Sequence, residues 1–184
     1  MMNSRLSVLL GVYAALMLLS CDVARAGFAI RPVSSGKLNQ IGLGVSYGVK
    51  LDKDAYFYGY APDYVRVLNE KWLLNLSLAY DRDTETKSGT KNVTESWTPA
   101  IMIGYQVSPR FAFGAGLGHG LTQNKDSAGW ESVKWGDDLT IAAAVATSLW
   151  IKERHSLSLS FSLEHNISDN EPSVSLDLGY AWDF

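Results

Sequence analysis

The chain has 184 residues, 47% hydrophobic and 19% charged, with a net charge of −3 and one cysteine. That length suits a single domain. An acidic chain without a basic run excludes nucleic acid as a partner, and nothing in it calls for a cofactor.

The first segment has the three parts of a secretory signal peptide: Arg5, an apolar run from Leu6 to Leu19, and the small-residue site Ala24-Arg25-Ala26. The expected division is a leader over 1–26, an N-terminal extension over 27–37, and the folded body over 38–184. Cleavage after Ala26 removes Cys21, and with it any disulfide or thiol chemistry. A second reading takes Leu18-Leu19-Ser20-Cys21 as a lipobox, with Cys21 lipidated and retained. No later segment reaches the ~18 consecutive apolar residues of a membrane helix.

From there the dominant period is two, the signature of strands. Ile41, Leu43, Val45, Tyr47 and Val49 alternate with Gly42, Gly44, Ser46 and Gly48. Tyr56 to Leu68 is less regular: Tyr56, Tyr58, Tyr60 and Tyr64 keep one parity, Val65 and Val67 the other, which suggests a bulge or bend at Pro62. Clean alternation resumes with Trp72 to Asp81, Trp97 to Val107, Phe111 to Leu121 and Leu139 to Ile151. His155 to Ile167 sets leucines and Phe161 against Ser156, Ser158, Ser160 and Ser162, and Ser173 to Phe184 ends the series. Short turns at Asn69-Glu70-Lys71, Ser108-Pro109-Arg110 and Lys152-Glu153-Arg154 alternate with longer expected loops, the largest at Thr84 to Asn92 and Gln123 to Lys134. An all-β, eight-stranded antiparallel up-and-down barrel satisfies this order, with both termini at the short-turn end.

Alternation alone does not say which face meets water. Here the small-residue face carries Ser, Gly, Ala and Thr, and charges are absent from Ser156 to Leu163 and from Phe111 to Gln123. Small residues suit a narrow interior, so the bulky face points outward, an arrangement that only a hydrocarbon surround favours. Aromatic residues gather toward both ends of the strands, as at membrane interfaces: Trp72, Tyr105, Trp182 and Phe184 on the short-turn side, Tyr47, Tyr80 and Trp97 on the other. Twelve residues rising ~3.3 Å each at a ~45° tilt cross about 28 Å, close to the apolar band of such a barrel. A transmembrane β-barrel is therefore expected.

The final Tyr180, Trp182 and Phe184 resemble the C-terminal assembly signal of bacterial outer-membrane barrels, and the layout is similar to that of the Ail/OmpX group. That resemblance implies an outer-membrane location with periplasmic termini, contact with lipid and lipopolysaccharide, handling by the barrel-assembly machinery, and a host or matrix ligand at the outer loops. Trp130 and Trp135 are the loop residues suited to such binding.

Three other chemistries can be weighed. Lipid A deacylases imply a His-x-Ser motif, but His119, His155 and His165 are followed two residues on by Leu121, Leu157 and Ile167. Only His165 with Ser168, brought round by a turn at Asn166, could act as base and nucleophile. The serines opposite glycines leave space that larger side chains or water must fill, or else a narrow porin-like channel. Asp81, Asp138, Glu164 and Asp177 share the inward parity, with Lys50 and Arg66 as partners for a polar network. The histidines lack the spacing of a metal-ligand pair.

Overall fold

The computed structural model describes residues 28–34, 36–52, 55–87, 90–126, 129–130 and 134–184, with side chains described outside 85–92 and 124–138. The expected leader over 1–26, with Cys21, lies outside the described residues. The strands are β1 (Asn39–Lys50), β2 (Ala55–Val67), β3 (Trp72–Lys87), β4 (Thr90–Ser108), β5 (Phe111–Asp126), the two-residue β6 (Gly129–Trp130), β7 (Lys134–Lys152), β8 (His155–Asn166) and β9 (Glu171–Asp183). All pairings are antiparallel, and the β4–β5 ladder closes the sheet into a barrel of eight long strands. The seam between β1 and β9 ends in reciprocal backbone bonds: Asn39 N–H donates to Phe184 O (3.1 Å) and Phe184 N–H to Asn39 O (2.9 Å). No edge remains around the barrel wall, which removes the hazard of an unpaired strand.

Burial follows the alternation. Ile41, Leu43, Tyr47, Ile101, Ile103, Phe113, Leu117, Ile141, Val145, Phe161, Leu163 and Leu176 are exposed on the outside, while Ser46, Ala112, Ala142, Ala144, Ala146 and Ser156 to Ser162 at alternate positions are buried within. A continuous apolar exterior of this extent is unfavourable in water and favourable in hydrocarbon. At the terminal end of the barrel Trp72 packs edge-on to Tyr105 (5.3 Å), and Trp182 stacks with Phe184 (5.0 Å). Toward the opposite end Tyr60, Tyr80 and Trp97 form a cluster with centroids 5.0–6.3 Å apart.

Two expectations change. First, Pro62 marks no bulge. The β1–β2 register runs unbroken through Leu43↔Pro62, and the β2–β3 ladder passes from Tyr60↔Tyr80 to Asp63↔Ser77 without a shift. Phe57, Gly59, Ala61, Asp63 and Val65 therefore keep one inward parity, and Pro62, which has no N–H to donate, sits on the outward face where its ring is accommodated. Register shifts occur elsewhere, at Gln106/Ser108, His119/Leu121 and Ser148/Trp150.

Second, the two expected long loops are largely strand. The β3–β4 ladder continues through Thr84↔Val93 to Lys87↔Thr90, and β5 still pairs with β4 at Val93↔Lys125 and with β7 at Thr122↔Lys134. β7 runs on past its last pair with β8 at Thr140↔Asn166, so β3, β4, β5 and β7 rise as a sheet above one side of the barrel. Polar composition reads as loop in a sequence, yet an antiparallel hairpin outside the bilayer needs no apolar face to keep its backbone bonds.

The core is inside the barrel, and part of it does not come from the wall. Phe28, Ile30 and Val33 cluster with Val65, Leu73, Met102, Ala112, Ala142, Ala144 and Ala146. Residues 28–33 are all buried, so this piece of the N-terminal extension lies in the lumen.

Candidate functional site

The luminal segment fits because the wall beneath it is made of glycine. A Cβ on Gly104 or Gly114 would strike Ile30, one on Gly118 would press on the Phe28 ring, and ones on Gly44 and Gly179 would meet the Arg31 guanidinium. The inward glycines thus leave a furrow in which the lumen holds an extra stretch of chain.

An irregular backbone in a closed lumen needs partners for its polar groups, and barrel side chains supply them. Asn75 Nδ2 donates to Ala29 O (2.7 Å), and Gln40 Nε2 to Pro32 O (3.2 Å). Gln106 grips Val33 twice, accepting its N–H (2.9 Å) and donating to its carbonyl (2.8 Å). Asp183 accepts from Ser34 N–H (3.2 Å) and from Gln40 Nε2 (2.7 Å).

Charge anchors the middle of the segment. Arg31 places Nε 3.2 Å from Asp63 Oδ2 and Nη2 3.4 Å from Asp177 Oδ1, with all three side chains at most 3% exposed. A second cluster lies toward the far end, where Lys50 Nζ meets Asp83 Oδ2 (2.5 Å) and Glu171 Oε2 (2.9 Å), tying β1 to β3 and β9. Between them Phe28, Asp81, Ser96, Glu164, Asn166 and Glu171 are among the residues around a cavity of about 30 Å³, space for one or two waters. Glu164 Oε1 there accepts from Ser162 Oγ (2.8 Å) and Ser175 Oγ (3.0 Å).

The sequence-derived residues separate into groups. Lys50, Asp81, Glu164 and Asp177 do face the lumen, but in two layers with different partners. Arg66 does not: with parity unbroken at Pro62 it is exposed outside, donating to Asn39 Oδ1 (3.2 Å) beside Tyr64. The side chains of Asp138, Trp130 and Trp135 lie outside the described residues. His165 and Ser168 are not joined. The Ser168 hydroxyl accepts from Leu139 N–H (3.3 Å), and Asn166 Oδ1 accepts the N–H groups of Ser168 (2.9 Å) and Asp169 (3.3 Å), closing the turn through bonds that involve no imidazole nitrogen. Tyr180, Trp182 and Phe184 are exposed on the outer face.

Sequence reasoning missed Arg31, Asp63, Asp83 and Glu171. Asp63 was hidden by the supposed bend, and carrying the parity on from Phe57 and Gly59 would have found it. Asp83 borders the polar stretch from Thr84 that reads as loop, and Glu171 precedes the alternation that starts at Ser173. For Arg31 the only signal was indirect, the run of inward glycines with nothing named to fill them.

No protein-family model matches the sequence, and no curated protein matches it. Solved structures do. Neisserial surface protein A is 14% identical with a TM-score of 0.57, the match covering 82% of this chain and 98% of that one. The outer membrane protein OprG of Pseudomonas aeruginosa is 12% identical with a TM-score of 0.54, over 84% and 99%. Ail, the attachment invasion locus protein of Yersinia pestis, solved with the heparin analogue sucrose octasulfate, is 16% identical with a TM-score of 0.52, over 80% and 97%. The fold is that of the small outer-membrane β-barrels. At such identities the likeness concerns architecture, and the luminal furrow and its charges are read from this chain alone.

Proposed function

We propose that this protein is a bacterial outer-membrane barrel that holds a projecting β-sheet at the cell surface for contact with a host or matrix ligand. Its termini are periplasmic, and Tyr180, Trp182 and Phe184 serve as the signal read by the assembly machinery. The observation that carries this reading is the lumen occupied by residues 28–34. A barrel so filled is suited to anchoring more than to passing solutes, which leaves the sheet formed by β3, β4, β5 and β7 as the surface on offer. The role of Ail as an attachment protein, and its solved complex with a heparin analogue, support an adhesive reading. In sequence the tips of this sheet carry mixed charge, Lys87, Lys91, Lys125 and Lys134 with Glu85 and Asp126, so Trp130 and Trp135 are the proposed anchors. Catalysis plays no part in this reading, since the turn that carries Ser168 is closed by Leu139 and Asn166 and not by His165.

The test is adhesion of bacteria displaying the protein to surfaces coated with extracellular-matrix extract or heparin. Binding is expected, and it should vanish when residues 86–91 and 125–133 are deleted while the heat-dependent gel shift of the barrel persists. Adhesion that ignores the deletions, or altered lipid A acylation in expressing cells, overturns the reading.

A further inference from the structure

We propose that the outward face at the turn between β7 and β8 is a site for the phosphate of an anionic phospholipid, held by Lys152, Arg154 and His155 at the depth of the lipid headgroups. A β-bulge builds it. The β7–β8 register passes from Ser148↔Ser158 to Trp150↔Leu157, so Leu149 is an extra residue, and beyond it Lys152 pairs with His155. In regular alternation Trp150 and Lys152 would continue the inward row of Ala144, Ala146 and Ser148. The bulge turns them out. Leu149 and Trp150 are accordingly both exposed, at 52% and 41%, and Lys152 is exposed as well.

The next strand completes the surface. His155 pairs with Trp182 and Leu157 with Tyr180, so two rows cross three strands, Lys152, His155 and Trp182 in one and Trp150, Leu157 and Tyr180 in the other. The Tyr180 hydroxyl lies 2.6 Å from His155 Nδ1 and the two rings stack at 5.8 Å, which leaves Nε2 as the ring nitrogen for a ligand. Lys152 and Arg154 flank Glu153 in the turn, yet neither forms an ion pair among the described residues. Exposed tryptophans mark the edge of the hydrocarbon, and the cations just past them meet the layer where lipid phosphates lie. A phosphate there accepts charge-assisted hydrogen bonds from Lys152 and Arg154 while its acyl chains run along Leu149. The choice of a phospholipid rests on the periplasmic termini proposed above, which put this end in the phospholipid leaflet.

The protein, extracted from membranes in mild detergent, can be stripped of lipid and titrated with dioleoylphosphatidylglycerol or dioleoylphosphatidylcholine, with bound lipid read by native mass spectrometry. Phosphatidylglycerol should bind about tenfold more tightly. Lys152→Gln and Arg154→Gln should each weaken it about fivefold, the equivalent of ~1 kcal/mol per cation. Lys71→Gln, on the turn between β2 and β3 at the opposite side of the wall, should not. Before stripping, the lipid carried by wild type and lost from the Lys152→Gln/Arg154→Gln variant should be a phospholipid. Equal affinity for the two lipids, no response to Lys152→Gln and Arg154→Gln, or an equal response to Lys71→Gln would each overturn the site. Loss of lipid A instead would mean that this end faces the other leaflet, and it overturns the phospholipid assignment. The wild-type comparison of lipids decides even if a variant does not fold, and none of these outcomes bears on adhesion by the hairpins.

Discussion

Arg31 shows how much of this barrel's interior rests on one side chain. Its guanidinium lies between two buried carboxylates from β2 and β9, whose chain positions are 32 and 146 residues away. Three buried charges survive in a lumen only as a set, because each alone would lose its hydration without return. Arg31→Met should therefore cost about 3–5 kcal/mol, the scale for breaking a buried pair and stranding its partner. The midpoint of urea unfolding in detergent micelles reads this. Adding Asp63→Asn and Asp177→Asn to Arg31→Met should recover most of the loss, since the stranded charges are then gone. A single variant as stable as wild type would mean that the carboxylates are solvated by some other route. Nothing local to Arg31 in the sequence could announce this role, because both partners are remote and Asp63 is next to a proline that invites a false bend.

The elements were legible where one face is apolar and obscure where none is. Serines 156 to 162 against leucines and Phe161 leave no alternative to a strand, and β8 spans His155–Asn166 as that pattern requires. Beyond the bilayer the outer portions of β3, β4, β5 and β7 have no apolar face to reveal them, and their polar residues imitate loops. The luminal segment is harder still, since its seven residues have neither period and are recognisable only through the glycines they cover. Those glycines provide the test. Gly179→Val places side-chain atoms on the Arg31 guanidinium, from a strand whose backbone pairing with β1 and β8 is otherwise unaffected. Amide hydrogen exchange of Ile30, Arg31 and Val33 should accelerate by tenfold or more, about the effect of losing ~1.4 kcal/mol of local protection, while β8 and β9 amides stay slow. Uniform acceleration across the strands would instead place the damage in the barrel wall.

As a whole the molecule has two parts, a wall that is apolar outside and glycine-rich inside, and a segment that supplies the missing interior. Outside, lipid replaces the packing partner that a soluble barrel would need. Inside, the glycines that keep the wall thin would leave a continuous void if residues 28–34 were absent, and the polar groups now satisfied by Ala29, Pro32, Val33 and Ser34 would turn to water. The intact protein in planar bilayers should then be electrically silent, whereas a variant whose mature chain starts at Ser35 should show discrete conductance. That conductance should favour cations, because removal of Arg31 leaves Asp63 and Asp177 beside the open path with Asp81, Asp83, Glu164 and Glu171, against Lys50 among the described luminal cations. The heat-dependent gel shift must be retained for the comparison to count, since the barrel ladder from Asn39 onward is what carries the fold. Steps of conductance in the intact protein, or silence in a correctly folded truncation, would show that residues 28–34 are not what closes the lumen.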